Sequence, residues 1–351
     1  MNILGIETSC DETAAAVVRD GRMVLSNVVF SQSDLHSPYG GVVPEIAARS
    51  HVETLPAIIE SAVEKAGFTW QDLDAIAVTC GPGLATSLLV GLAAAKGLAL
   101  RLGLPLCGVN HIEAHIYSVF LSSAAPPVES VCPFVALVVS GGHTCLVRVD
   151  GLGSYRLLGQ TVDDAAGEAF DKGANLLGLG YPGGPAVERA SRGGDPQYVD
   201  FPRGRQRPDR IRLSNVDAEV CFSFSGLKTS LRYYLRDHPM AEGEDSARRL
   251  ASLAASYQEA IVDALVSRCD KALTGVGCLA VGGGVALNSR LREKLSCLTQ
   301  QRGVRLLVAE PRYCADNAAM VAGLAGVGRG VWGDAASELD AQPNLALTEM
   351  G

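Results

Sequence analysis

Two imidazoles four residues apart, in the string His111-Ile-Glu-Ala-His115, are the sharpest chemical signal in this sequence. On a helix that spacing stacks both rings on one face, where they can grip a single ion. The Glu between them does not directly follow the first His, so the His-Glu-x-x-His arrangement of zinc proteases is absent and Glu113 points to another face. A chelate needs a third ligand. Asp316, in Tyr313-Cys-Ala-Asp-Asn317 just ahead of the apolar run 318–323, offers a carboxylate at a helix start. Helix capping is its competing role, and an ordinary surface or core pair is the competing role of the histidines.

Four turns rich in small polar residues form the second signal: Glu7-Thr-Ser-Cys-Asp-Glu-Thr13, Ser140-Gly-Gly-His-Thr144, Tyr181-Pro-Gly-Gly-Pro185 and Gly282-Gly-Gly-Val-Ala-Leu-Asn288. Glycine lets backbone N–H groups approach and donate to phosphate oxygens. One such turn is unremarkable, but four point to a bound nucleotide. Neither the Walker A pattern nor G-x-G-x-x-G occurs.

Acids cluster in Asp163-Asp-Ala-Ala-Gly-Glu-Ala-Phe-Asp171, where Asp163 and Asp164 read as caps of the following helix and Asp171, two turns in, as a ribose contact. Five arginines fall between Arg203 and Arg212 of an otherwise acidic chain, as either a solvated loop or a phosphate-backbone contact.

The elements that must position these groups alternate between β-rich and helical runs, an α/β pattern. Strands are expected near 3–7, 14–18, 24–30, 75–79, 105–109, 134–140, 145–149, 278–281 and 305–308, and helices near 44–66, 86–102, 112–121, 164–177 and 247–272. The chain is 351 residues long, more than one core usually serves, and residues 122–130 read as a linker. On either side of it the chain opens alike, strand, polar turn, strand, which suggests an internal duplication. Lobes are expected at 1–125, completed by about 318–351, and at 126–317. The tail after Trp332 is acidic and aperiodic, so loose packing is expected there.

Net charge is −8, so nucleic-acid binding must rely on a local patch. Ten cysteines without a Cys-x-x-Cys read as small buried hydrophobes in a reducing compartment. A strand-like run from Ile3 leaves no room for a targeting peptide, and the apolar stretch 84–102 carries Lys96 and Arg101, so a cytoplasmic protein without a membrane span is expected.

The strings GIETSCDET, GGVVPEIAAR, HIEAH, VSGGHT, DDAAGEAFDK, YPGGP, FSFSGLKT, GGGVALNSRLR and CADNAAM resemble, in order and from about residue 3 to 325, the TsaD family of tRNA adenosine threonylcarbamoyltransferases. The resemblance implies the ASKHA (actin, Hsp70, sugar kinase) fold, with two duplicated lobes around a nucleotide cleft. It also implies transfer of a threonylcarbamoyl group from threonylcarbamoyl-AMP to N6 of adenosine 37 in tRNAs reading codons that start with A. His111, His115 and Asp316 would then be metal ligands, for Fe(II) with Zn(II) or Mg(II) as alternatives. Val138, Val139, Ser140, Gly141, Gly142, Asp171, Gly184, Glu188 and Asn288 would contact the donor, an adenine nucleotide. Two positions depart from the family pattern: Glu188, where relatives often carry Asp, and Asn110, where many carry His. Asp11 or Glu12 is the candidate base. The implied partners are tRNA, a separate donor-forming synthase, and proteins of the TsaB and TsaE type. An ASKHA small-molecule kinase or ATPase, a metal-dependent glycoprotein endopeptidase and a non-enzymatic nucleotide-binding scaffold stand as alternatives.

If the arginine stretch meets tRNA phosphates, reversing Arg205 and Arg207 to Glu should weaken all tRNAs about equally and flatten the salt dependence of binding. Filter binding across a salt series checks this; an unaltered slope and affinity would make the stretch a solvated loop.

Overall fold

The computed structural model describes residues 1–122, 124–204, 216–239 and 244–347. Arg205, Arg207, Arg210 and Arg212 lie outside the described residues. Contacts divide the chain into two compact units, one of Met1–Val131, Asp150–Tyr155 and Val308–Gly351, the other of Cys132–Val149 and Arg156–Leu307. The chain thus crosses at Val131 and Val308, against the 125 and 317 read from the sequence. Residues 308–317 belong with the first unit, so Asp316 shares it with His111 and His115.

In chain order the first unit opens with β1 (Asn2–Glu7), β2 (Glu12–Arg19), β3 (Met23–Ser31), α1 (Ser33–His36), α2 (Pro44–Lys65), β4 (Ala75–Gly81), α3 (Ala85–Leu102), β5 (Leu106–Asn110) and α4 (His111–Tyr117). The second holds β6 (Phe134–Val139), most of β7 (Thr144–Gly151) and β8 (Ser154–Gln160), then α5 (Ala166–Leu176), α6 (Gly183–Ala190), α7 (Ser225–Asp237), α8 (Glu244–Ala272), β9 (Cys278–Gly282), α9 (Ser289–Arg302) and β10 (Arg305–Val308). The chain ends in the first unit with α10 (Pro311–Cys314), α11 (Ala318–Gly326), β11 (Val331–Trp332) and α12 (Asp334–Glu338).

The sheet orders are β11-β5-β4-β1-β2-β3 and β10-β9-β6-β7-β8. Apart from β11 they correspond strand for strand. In each the opening strand pairs antiparallel with the second and parallel with the fourth. This is the duplication that the two hairpin-led openings suggest.

Alternation along β1 buries both faces of the first sheet. Leu4 and Ile6 join a core with Leu55 and Ile59 of α2 and Leu92, Ala95 and Ala99 of α3. Gly5 faces the other way, onto α11, whose residues from Ala318 to Ala325 are all buried. A Cβ on Gly5 would lie 2.4 Å from the Ala318 carbonyl oxygen, so only glycine admits the helix this closely. The apolar stretch at 84–102 is thus α3, with one side, Leu88, Leu92, Ala95 and Ala99, in the core.

The structure departs from the sequence reading in several places; α6, α7 and β11 were not among the expected elements. β8 and α9 were missed: β8 is a partly exposed strand at the sheet edge, and α9 is polar except at Leu291, Leu295 and Leu298. The tail is not loose. Gln342 N–H donates to Cys80 O (2.9 Å), Gly83 N–H to Pro343 O (3.2 Å) and Lys96 Nζ to Leu339 O (2.6 Å), while Leu345 is buried. Main-chain and backbone-directed bonds, which leave no periodic signature, hold it across the ends of β4 and β5.

Gly5→Ala should destabilise the protein by about 1–3 kcal/mol, because helix α11 must retreat from the sheet. An unchanged urea midpoint would contradict this packing.

Candidate active site

Three parallel neighbours, β1, β4 and β5, end side by side, and register sets what sits there. Ile6 pairs with Val78 and Thr79 with Val109, so Glu7, Thr79 and the start of α4 meet at the carboxyl edge of the sheet. This is where open α/β sheets place ligands. Asn110 closes β5 and caps α4, its Oδ1 accepting from Ile112 N–H (2.9 Å) and Glu113 N–H (3.2 Å). The residue that departs from the family pattern is therefore what starts the histidine-bearing helix.

His111 and His115 are buried and their rings stand edge to face, centroids 4.6 Å apart. Both Nε2 atoms face Asp316 Oδ1, at 3.6 Å from His111 and 3.0 Å from His115. One ligand atom from each of the three residues lies within 4.8 Å of the others. Asp316 is not the cap of α11: Asn317 is, through its Oδ1 and Met320 N–H (3.1 Å). The carboxylate faces the two histidines instead.

The far nitrogen of His111 is also fixed. Its Nδ1 lies 3.1 Å from both Ser9 Oγ and Glu7 Oε2. Glu7 is wholly buried; its other contacts are Ser9 N–H (2.6 Å) and Thr79 Oγ1 (2.6 Å). Burial alone would raise the Glu7 carboxyl, but the facing His111 holds it below the usual value. Burial opposes charge on His111 as well, yet Asp316 and Glu7 raise it to about 9. Burial lowers His115 despite Asp316. Two convergent imidazole nitrogens and a carboxylate oxygen, with one ring oriented by a buried carboxylate, form a set that can hold a divalent metal ion.

Glu7 and Ser9 escaped the sequence reading as supports. Their signal was a carboxylate ending the apolar run of β1. Glu113 has a structural role on the other side of α4: its Oε1 accepts from Tyr155 Oη (2.7 Å) and Arg329 Nε (2.8 Å). Of the candidate bases, Asp11 lies in the β1–β2 turn and Glu12 opens β2. Burial and the adjacent Asp11 push the Glu12 carboxyl well above its usual range.

In the second unit, glycine contacts draw the remaining turns into a ring. A Cβ on Gly167 of α5 would lie 2.6 Å from Ser140 O, and one on Gly283 would lie 2.2 Å from Val139 O. Asp171 Oδ1 accepts from Gly183 N–H (2.7 Å), joining α5 to α6, and Glu188 Oε1 accepts from Ser289 N–H (3.2 Å) and Oγ (2.5 Å), joining α6 to α9. Val138 and Val139 are buried at the end of β6. Gly141 and Gly142 beyond them are exposed; among the described residues their N–H groups have no hydrogen-bond acceptor and a Cβ on either would meet nothing within 4 Å. Gly184 is similarly open. Asn288 spends its side chain on capping α9 (Leu291 N–H, 3.0 Å) and on Gln258 Oε1 (2.8 Å).

Two expected roles change. Asp163 does not cap α5, whose N-cap is Ala165; it binds Ser223 Oγ, Phe224 N–H, Ser225 N–H and Ser225 Oγ at the start of α7. Asp164 pairs with Lys172 at 2.6 Å. Arg203, the described member of the arginine stretch, is tied to Asp263 (2.8 Å) and Asp200.

The family profile that matches this chain, over residues 23–323, is described as TsaD, tRNA N6-adenosine threonylcarbamoyltransferase. A protein of that name from Geotalea uraniireducens is 52% identical over 324 residues, covering 92% of this chain and 90% of its own. Another from Syntrophobacter fumaroxidans is 52% identical over 330 residues, covering 93% of each. Among solved structures, component A of (R)-2-hydroxyglutaryl-CoA dehydratase from Acidaminococcus fermentans superposes with a TM-score of 0.53 at 14% identity, covering 93% of this chain and 98% of that one. HypF from T. kodakarensis gives 0.56 at 15% identity, covering 93% of this chain and 47% of that one. These likenesses show the ASKHA-type fold.

His111→Ala and His115→Ala together should remove bound metal and leave the fold intact, since a chelate needs both rings. Metal analysis and circular dichroism of the purified variant check this; stoichiometric metal in it would contradict the assignment.

Proposed function

Since this chain belongs to the TsaD family of tRNA N6-adenosine threonylcarbamoyltransferases, we propose that the histidine–aspartate cluster and the glycine ring each supply one part of a single acyl transfer. The protein moves the threonylcarbamoyl group of threonylcarbamoyl-AMP to N6 of adenosine 37 in tRNAs reading codons that begin with A. A C–N bond forms, the bond from the carbamoyl carbon to the phosphate oxygen breaks, AMP leaves, and N6 gives up one proton.

The observation that carries the metal part is the convergence of His111 Nε2, His115 Nε2 and Asp316 Oδ1. Two imidazoles and a carboxylate suit Fe(II), with Zn(II) second and Mg(II) less matched to nitrogen donors. When bound, such an ion supplies Lewis acidity and an anchor for a substrate oxygen. The chain does the rest. Glu7 and Ser9 hold His111 in orientation. The unbonded N–H groups of Gly141 and Gly142 bind the AMP phosphate and stabilise it as it leaves. Asp171, Gly184, Glu188 and Asn288 shape the ring that receives the nucleotide, Asn288 through its cap of α9.

Glu12, which opens β2, is the first candidate base for the N6 proton. Asp11, its neighbour, is the second candidate. A separate synthase supplies the donor, proteins of the TsaB and TsaE type assist, and the reaction runs in the cytoplasm. A phosphoryl-transferring kinase is not favoured: it would call for a catalytic Asp in the β6–β7 turn, which reads Ser140-Gly-Gly-His-Thr144.

Gly142→Val tests the phosphate assignment with little risk to folding, because a side chain there meets open space. With tRNA, threonine, bicarbonate, ATP and the synthase, the wild type should form the modified nucleoside. The variant should lose nucleotide affinity at least about tenfold, by blocking close approach of backbone to phosphate, and should keep its metal. Wild-type affinity by calorimetry would remove this turn from the site.

A further inference from the structure

Helix α7 has two unlike sides. Leu227 and Leu231 are buried, while Lys228, Arg232 and Arg236 recur every fourth residue on the exposed side, beside Tyr233. At 1.5 Å per residue, this basic stripe runs about 12 Å. The site described above uses none of these side chains.

The stripe is set apart by its density, three cations on one helix face beside an aromatic ring. Elsewhere in the second unit Lys172, Arg203, Lys271, Arg290, Lys294 and Arg302 are each held by acidic side chains. Among the described residues, exposed cations without such a partner, such as Arg156, Arg192 and Arg305, are spread over separate segments. Among the described residues, the side chains of Lys228 and Arg232 have no ion-pair or hydrogen-bond partner. Arg236 is joined to its neighbour Asp237 and lies over one face of the Tyr233 ring at 4.9 Å, and Tyr233 as a whole is 53% exposed. An acidic protein that leaves cations unpaired on one helix face, next to an open aromatic ring, presents what an RNA strand recognises: point charges for phosphates and a π-face for a base.

The helix is also fixed in place. Asp163 takes hydrogen bonds from two backbone N–H groups and two hydroxyls at its N-terminus, and Leu227 and Leu231 anchor its inner side. A face already ordered loses less entropy when it docks.

We propose that the exposed face of α7 is a docking surface for the tRNA substrate, with Lys228 and Arg232 on backbone phosphates and Tyr233 against an unpaired base. This rests on the tRNA-modifying reading above and adds to it where the RNA is held. Because phosphate contacts carry little sequence information, the surface grips different tRNAs alike and leaves their discrimination to other contacts.

The test is a salt titration of tRNA binding to the Lys228→Glu/Arg232→Glu variant, followed by fluorescence anisotropy. The expected result is an affinity at least about tenfold weaker at low salt. The plot of log affinity against log salt should be shallower by about 1.4 to 1.8, for two lost phosphate contacts. Adenine-nucleotide affinity and metal content should match the wild type. Lys65→Glu/Arg101→Glu, an equal charge change on exposed residues of α2 and α3, should leave the slope unaltered. Wild-type slope and affinity in the α7 variant would overturn the proposal, as would an equal loss in both variants, which would reduce it to bulk charge. Wild-type protein that binds no tRNA even with the TsaB- and TsaE-type proteins present would defeat the functional reading itself.

Discussion

A carboxylate with no exposure to water must be surrounded by donors or lose its charge, and Glu7 meets that demand at the one point where three strands end together. Ser9 N–H comes from the turn after β1, Thr79 Oγ1 from β4, and His111 Nδ1 from the start of α4 after β5. Each donor is in reach only because β1, β4 and β5 are adjacent, parallel and in register. The bond to His111 turns its Nε2 toward Asp316, and Asp316 arrives on the segment leading into α11. That helix lies against β1 only because residue 5 is glycine. Register, a buried charge and a missing side chain therefore set the geometry of the cluster, and no flexible loop is asked to form it.

The second unit solves a different problem by similar means. A site for a phosphate needs unbonded N–H groups rather than charges, and these are stable only where the backbone is exposed and held still. Gly167 and Gly283 allow the β6–β7 turn to be clasped from two sides at backbone contact. Gly141 and Gly142 then project from a fixed base with nothing filling the space above them. The polar side chains around the ring spend their hydrogen bonds on joining helices, as Asp171 does for α6 and Asn288 for α9. They build the cradle before they touch a ligand.

Much of this was legible in the sequence because it is local. The i, i+4 histidines, the glycine turns and the strand–turn–strand openings are all patterns within a dozen residues. What escaped is long-range. Asp163 sits next to the helix it was expected to cap, but serves one that starts some sixty residues later, where Phe224 at the N-cap offers no side-chain acceptor. Glu7 shows itself as a support only once Thr79 and His111 are brought beside it. Asp316 and Asn317 are both good caps by type, and backbone geometry decided between them. The tail after Trp332 is held by main-chain bonds, to which side-chain periodicity is blind. β8 and α9 were missed because each shows the solvent a polar face and buries too few apolar residues to stand out.

The claim on which the account turns is that His111, His115 and Asp316 bind one metal ion as a unit. X-ray absorption at the metal edge of the purified, metal-loaded protein addresses it directly. The account predicts a first shell of nitrogen and oxygen only, with outer-shell scattering from two imidazoles, falling to one in His115→Ala protein that still retains some metal. A sulfur neighbour, for which nearby Cys10 is the obvious source, or a shell without imidazole would contradict it.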